Sequence, residues 1–345
     1  MCNIAGYIGT HRAAPILIEM LRAQEGLNAG FYTGIATLHE GRIYYRKLVG
    51  NLDDLLTKTD AATLPGSIGV IHSRTPGVAD YEGAERAHPF VTERNGEVVA
   101  AMVLNGTTGI FAPHKAQRVE IATRLLEHGA TFRSRCEGTA SLALPDGSCL
   151  HGSDVFCQLT DWHAEAGLPL HAATAKTFFE LPTEAVILML SLRRTDAITY
   201  ARLNFPMHVA HSAHGTYLST TPQAMPQDAG DYHLLPTLSS GYVYRDHFES
   251  YPFPEKPATV APLSPARLAR IREIVCEQLQ AGEQTIQTLA GAVRHVFDGY
   301  DCGQVGAALY QVLYELEREG HLLRERRYIK GQQEGLLAPI DYMKL

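Results

Sequence analysis

The second residue of the chain is a cysteine, in the opening MCNIAGYIG. If a methionine aminopeptidase removes Met1, Cys2 carries a thiol and a free α-amino group on one residue. An unperturbed α-amine titrates at about 7.7–8.0, so it can accept a thiol proton near neutrality. Nucleophile and base on one terminal residue need no separate histidine, and the backbone fixes their separation. The plain alternative is a surface thiol with no role.

Other chemistry-bearing residues have ordinary readings. Asn95-Gly96 reads as a hairpin turn, whereas Asn105-Gly106 follows the apolar run VVAAMVL and continues into Thr107-Thr108-Gly109. Arg74, after an apolar run, reads as a solvated charge or surface ion pair. Asp154, or Ser153 beside it, reads as a helix N-cap, and His88 as a core histidine bonded to backbone. His208, His211 and His214 suggest a metal. Along a strand, however, the first two point to opposite faces, so no metal site is expected.

The elements that must position these residues are legible as hairpins and a few helices. IATLHEGRIYYRKLVG turns at Glu40-Gly41, and PFVTERNGEVVAAMVLNGT at Asn95-Gly96. AVILMLSLRRTDAITYARL and MHVAHSAHGTYLSTTP continue the β pattern, while AAPILIEMLRAQEGL has helical spacing. Antiparallel sheets with helices packed outside follow, an α+β layered domain. The 345 residues exceed what one core usually organises, so two domains are expected. A net charge of −7 excludes a gross polycation for nucleic acid. The six cysteines form no CxxC pair and read as reduced thiols. No apolar run reaches the ~20 residues of a membrane span, and the opening lacks signal-peptide character, so a cytoplasmic protein is expected.

Five stretches, in order, resemble the class II glutamine amidotransferases, in particular the glutaminase domain of glucosamine-6-phosphate synthases. They are MCNIAGYIG; GFYTGIATLHEGRIYYRKLVGNLDDL; GSIGVIHSRTPG with ERAHPF; VVAAMVLNGTTGIF; and GSDVFCQL. The resemblance implies an N-terminal-nucleophile hydrolase fold over residues 1–250, two antiparallel sheets between helical layers in αββα order. It implies that Cys2 attacks the side-chain amide of L-glutamine, giving a γ-glutamyl thioester and ammonia. Asn105 and the backbone N–H of Gly106 would form the oxyanion hole. Arg74 would hold the α-carboxylate and Asp154 the α-ammonium, with His88 near the pocket. No cofactor is implied. Several positions depart from the family pattern: Asn3 replaces a glycine, Ala29 and Tyr32 replace an arginine and an acidic residue, and Thr75 replaces an aromatic.

Residues 251–265, YPFPEKPATVAPLSP, read as a Pro-rich linker without regular structure. Beyond it, some 85 residues are too few for the isomerase lobes of the sugar-phosphate synthases. Ser264 and Pro265 start a helix, two more follow, Gly320 closes the last, and HLLRERRYIKGQQEGLLAPI reads as strand-turn-strand. Residues 266–345 thus resemble a winged helix. Residues 262–345 hold 10 Lys+Arg against 11 Asp+Glu, net −1, which favours protein interaction over DNA. The expected partner is a second copy or an ammonia-accepting synthase subunit, docking on the exposed Arg324–Lys330 segment. The alternative function is a non-catalytic glutamine-sensing regulator with a winged-helix output.

Overall fold

A computed structural model describes residues 2–76, 83–107, 114–137, 142–258, 261–297 and 303–345. Met1, Thr108-Gly109 and Cys302 lie outside them. From the N-terminus run β1 (Asn3–Gly9), α1 (Ala13–Gln24), β2 (Tyr32–His39), β3 (Arg42–Val49), α2 (Leu52–Lys58), β4 (Ile68–Arg74), β5 (Phe90–Arg94) and β6 (Glu97–Thr107). Then come α3 (Lys115–Glu127), β7 (Cys136–Glu137), β8 (Leu142–Ala143), β9 (Ser148–Leu150), α4 (Gly152–Glu165) and α5 (Leu170–Glu180). The domain finishes with β10 (Glu184–Ser191), β11 (Arg194–Leu203), β12 (His208–Ser212), β13 (Gly215–Ser219), β14 (His233–Leu234), β15 (Ser239–Val243) and β16 (Phe248–Pro252).

Two large sheets form, ordered β14-β12-β13-β1-β4-β2-β3 and β16-β15-β11-β10-β6-β5, with antiparallel neighbours throughout. Period-two alternation sorts each strand into two faces. Ile4 and Ile8 of β1 meet Ala101 and Val103 of β6 in the apolar layer between the sheets. Ala5 and Tyr7 face outward onto α1, and Ala100 and Met102 onto α4 and α5. Helix, sheet, sheet and helix therefore stack in four layers. The turns at Glu40-Gly41 and Asn95-Gly96 sit where the dipeptides place them, with positive φ at all four residues.

Three readings need correction. Regular structure extends into the Pro-rich stretch, because β16 pairs with β15 as far as Pro252; at a sheet edge, proline leaves its missing N–H toward solvent. The cap of α4 is His151, whose Nδ1 accepts from Ser153 N at 3.2 Å, rather than Ser153 or Asp154. The third concerns the C-terminal region, which contains α6 (Pro265–Ala281), α7 (Ile286–Val293), α8 (Gly303–Arg318), β17 (Leu323–Lys330) and β18 (Leu337–Lys344). Ser264 caps α6 by accepting from Arg267 N. Leu27 joins the apolar core of these helices, and Asp341 N donates to Gly26 O at 3.0 Å. Arg326 binds Asp341 and donates to Arg22 O at 2.8 Å, while Arg324 reaches Ala23 O. Arg324 and Arg326, two residues of the Arg324–Lys330 segment expected to dock a partner, are thus turned toward α1. Gly30, at φ +90°, is where a Cβ would collide with the Pro339 ring of β18.

Candidate active site

Cys2 stands at the mouth of the sandwich, one residue outside β1. Asn3 pairs with Ser73, so Cys2 and Arg74 come next along the same β1–β4 ladder and share the inner face with Ile4 and His72. On the opposing sheet, Ala101, Val103 and Asn105 continue the inner face of β6 to its end. The two meet: Cys2 N donates to Asn105 Oδ1 at 3.3 Å, and Asn105 Nδ2 donates to Cys2 O at 2.5 Å. Asn105 is buried and spends both ends of its amide on the main chain of Cys2, leaving its second Nδ2–H for another acceptor. Asn105 and Gly106 pair with Val186 and Ala185 of β10, so this Asn-Gly is strand and not a turn. A Cβ on Gly106 would lie 2.6 Å from that of Ala185, which gives the glycine a packing reason of its own.

Arg74 is buried. Its guanidinium lies over the Tyr32 ring at 4.7 Å from the centroid, and Nη1 donates to Arg86 O at 2.9 Å. Tyr32, one of the departures from the family pattern, therefore orients the arginine directly. Beside it lies a histidine group that sequence reasoning largely missed. The ring of His88 sits 3.9 Å from that of His72 and 5.7 Å from that of His151, and Phe90 stacks on His151 at 4.7 Å. His72 Nε2 bonds Leu104 O, next to Asn105, at 3.2 Å. Burial pushes His72 down to about 3 and holds His88 and His151 well below the ordinary imidazole value, the neighbouring cations adding to the effect. Both ring nitrogens of His88 lack a partner among the described residues, which do not supply the backbone bond expected of a core histidine. His72 was passed over, although its place two residues before Arg74 on a strand puts it on the same face and could have revealed it. His151 was not legible, since no local pattern connects it to residue 74.

Asp154, in the first turn of α4, is buried. Its Oδ2 accepts from Ser134 N at 3.0 Å and Ser134 Oγ at 2.7 Å, and that hydroxyl accepts from His151 N at 3.1 Å. Burial raises its pKa in spite of these bonds. Asp154 thus connects to the histidine group through Ser134. On the far side of Cys2, Asn3 Nδ2 donates to Tyr310 OH of α8 at 3.3 Å, and that phenol donates to Leu27 O at 3.3 Å. The start of α8 is held by Glu184 of β10, which accepts from Gly303 N at 2.9 Å. The C-terminal helix therefore touches both sheets beside the site. Among the described residues no group of three His, Cys, Asp or Glu could hold a metal ion. His208 Nδ1 bonds Ser219 O, His211 Nδ1 bonds Thr216 Oγ1, and His214 stacks on His11.

No family model matches the chain. It is 36% identical over 138 residues, 39% of its length and 20% of the relative's, to the glutamine–fructose-6-phosphate aminotransferase (isomerizing) of Pyrococcus horikoshii. It is 29% identical over 232 residues, 65% of its length and 32% of the relative's, to the enzyme of the same name from Zymomonas mobilis. These matches span about a fifth to a third of the curated relatives' length. The glutamine phosphoribosylpyrophosphate amidotransferase from B. subtilis, solved with ADP and GMP, superposes with a TM-score of 0.56 at 15% identity, over 74% of this chain and 50% of that one. That superposition shows a shared fold. Among the described residues no helix is long and apolar enough to cross a membrane.

Proposed function

We propose that this chain, which resembles the class II glutamine amidotransferases in sequence and fold, hydrolyses the side-chain amide of free L-glutamine and passes the ammonia to an acceptor enzyme. The observation that carries the reading is the two-point hold of Asn105 on the main chain of Cys2, with Arg74 next on the same face. Removal of Met1 makes the held nitrogen an α-amine. It takes the thiol proton while Sγ bonds the amide carbon, and the oxyanion faces the second N–H of Asn105 together with Gly106 N–H. Collapse expels the amide nitrogen, which leaves with that proton as ammonia. Water then opens the γ-glutamyl thioester, releasing glutamate and restoring the thiol. The Arg74 fork, stacked on Tyr32, takes the α-carboxylate, and Asp154 the α-ammonium, whose charge would pull the raised carboxyl pKa back down.

Burial lowers the pKa of these histidines and so weakens them as proton acceptors, which leaves them to shape the pocket and the α-amine to act as base. The C-terminal region has the order helix, helix, helix, hairpin, and an isolated β-bridge ties Gln284 to Met343 of the hairpin, which supports a winged-helix-like domain. Arg324, Arg326 and Arg327 are ion-paired with Glu317, Asp341, Glu283 and Glu325, which favours a protein partner over DNA. The test is ammonia release from glutamine by the processed chain. Cys2→Ala should abolish it while the fold persists, and unchanged turnover would contradict the reading.

A further inference from the structure

Cys136 of β7 and Cys149 of β9 are directly opposed in an antiparallel pair, with their sulfurs 3.5 Å apart. Opposed residues in such a pair have Cα atoms roughly 4.5–5.5 Å apart, inside the range a disulfide accepts. Cys136 is half-buried and Cys149 buried, so one thiol is open to a reagent and the other waits behind it. Arg86 Nη2 contacts both sulfurs, at 2.6 Å and 3.0 Å. The same residue's carbonyl receives Arg74 Nη1, and Cys149 packs with Tyr32 and Ala87. Two of the groups that meet Arg74, the Tyr32 ring and the Arg86 carbonyl, thus belong to residues that pack with the thiol pair or contact its sulfurs.

We propose that Cys136 and Cys149 form a redox-active dithiol, closed to a disulfide by exchange with a low-molecular-weight disulfide such as oxidised glutathione, and that closure loosens the hold on Arg74. The Cys136 thiolate attacks one sulfur of the oxidant and expels the first thiolate. The Cys149 thiolate then attacks the Cys136 sulfur and expels the second. Two protein thiols are oxidised, the oxidant is reduced to two thiols, and the two thiol protons pass to the leaving thiolates. The guanidinium is placed to stabilise negative charge on either sulfur during exchange. Once the neutral disulfide forms, the Arg86 guanidinium no longer faces two thiol acceptors, and the strain of its rearrangement falls on the residue whose carbonyl takes Arg74 Nη1.

The effect on Arg74 rests on the glutamine reading above; the dithiol does not. The full chain carrying Cys2→Ala, which removes the competing thiol, is titrated with glutathione buffers of rising oxidised share. Intact mass should fall by about 2 Da, with the linkage mapped to 136 and 149, and Cys136→Ser or Cys149→Ser should abolish the loss. Glutamine binding by calorimetry should weaken on the order of five- to tenfold on oxidation, and not in the serine variants. A thiol pair that stays reduced, or a stable glutathione adduct in its place, overturns the dithiol. A disulfide that leaves glutamine affinity unchanged overturns the coupling to Arg74. Failure of glutamine to bind the reduced chain refutes the glutamine site, while the mass change still decides the dithiol.

Discussion

At the scale of the residue, function depends on how a few buried groups are held. Arg74→Lys keeps the charge but loses both the planar fork and the stack on Tyr32, so it should raise KM for glutamine far more than it lowers kcat. Unchanged kinetics would mean that the carboxylate is held elsewhere. Asn105→Ala removes the hold on Cys2 as well as an oxyanion donor, and should cost about 10²–10³ in kcat. Glu25 offers a pH test. It lies under the site, accepting from Leu52 N and Ser73 Oγ, and burial lifts its pKa from 4.5 to about 7. The native state therefore holds a proton that the unfolded chain gives up, and its contribution to stability is complete below 4.5 and lost as pH rises through about 7. Glu25→Gln should flatten that decline, and parallel pH profiles of urea midpoints would contradict the assignment. Cys2 stood out as a candidate by its chain position, whereas Arg74, which alone reads as a surface charge, stood out only through the resemblance of IHSRTPG to the family stretch. The partners of Arg74 were not legible, since Tyr32 faces it only across the β2–β4 ladder and Arg86 reaches it from a short 3-10 turn outside the sheets.

At the scale of the element, the strands bring the inner-face residues Cys2, Arg74 and Asn105 to one end of the sandwich. The close β6–β10 approach at Gly106 makes a testable point of this. Gly106→Ala should push β6 away from Ala185, displacing Asn105, and should lower turnover with little change in glutamine affinity. An unaffected kcat would show that the register tolerates the methyl group. Hairpins with Glu40-Gly41 and Asn95-Gly96 turns could be read from sequence because positive φ demands those residues. β7, β8 and β9 could not, because two or three residues carry no period. The Asn105-Gly106 pair stood between these cases: the dipeptide says turn, and only its apolar run says strand.

At the scale of the whole molecule, the C-terminal region is built into the two-sheet domain rather than appended to it. Nothing local in the sequence marks this, since the contacts run through backbone acceptors at Arg22, Ala23 and Gly26 and a buried Asn3–Tyr310 bond. Truncation at Pro257 should therefore strip the cover from Leu27 and Asn3 and lower both thermal stability and glutamine turnover, measured side by side with the full chain; a truncated chain of full activity would restore the picture of a detachable module. The central claim, that the processed N-terminus is the nucleophile, is tested most directly by intact-mass spectrometry after reaction with a glutamine-like diazoketone. The account predicts a chain lacking Met1 that gains one adduct, mapped to Cys2 and blocked by excess glutamine. Retention of Met1 with no adduct, or an adduct on Cys149 or Cys157 instead, would contradict it.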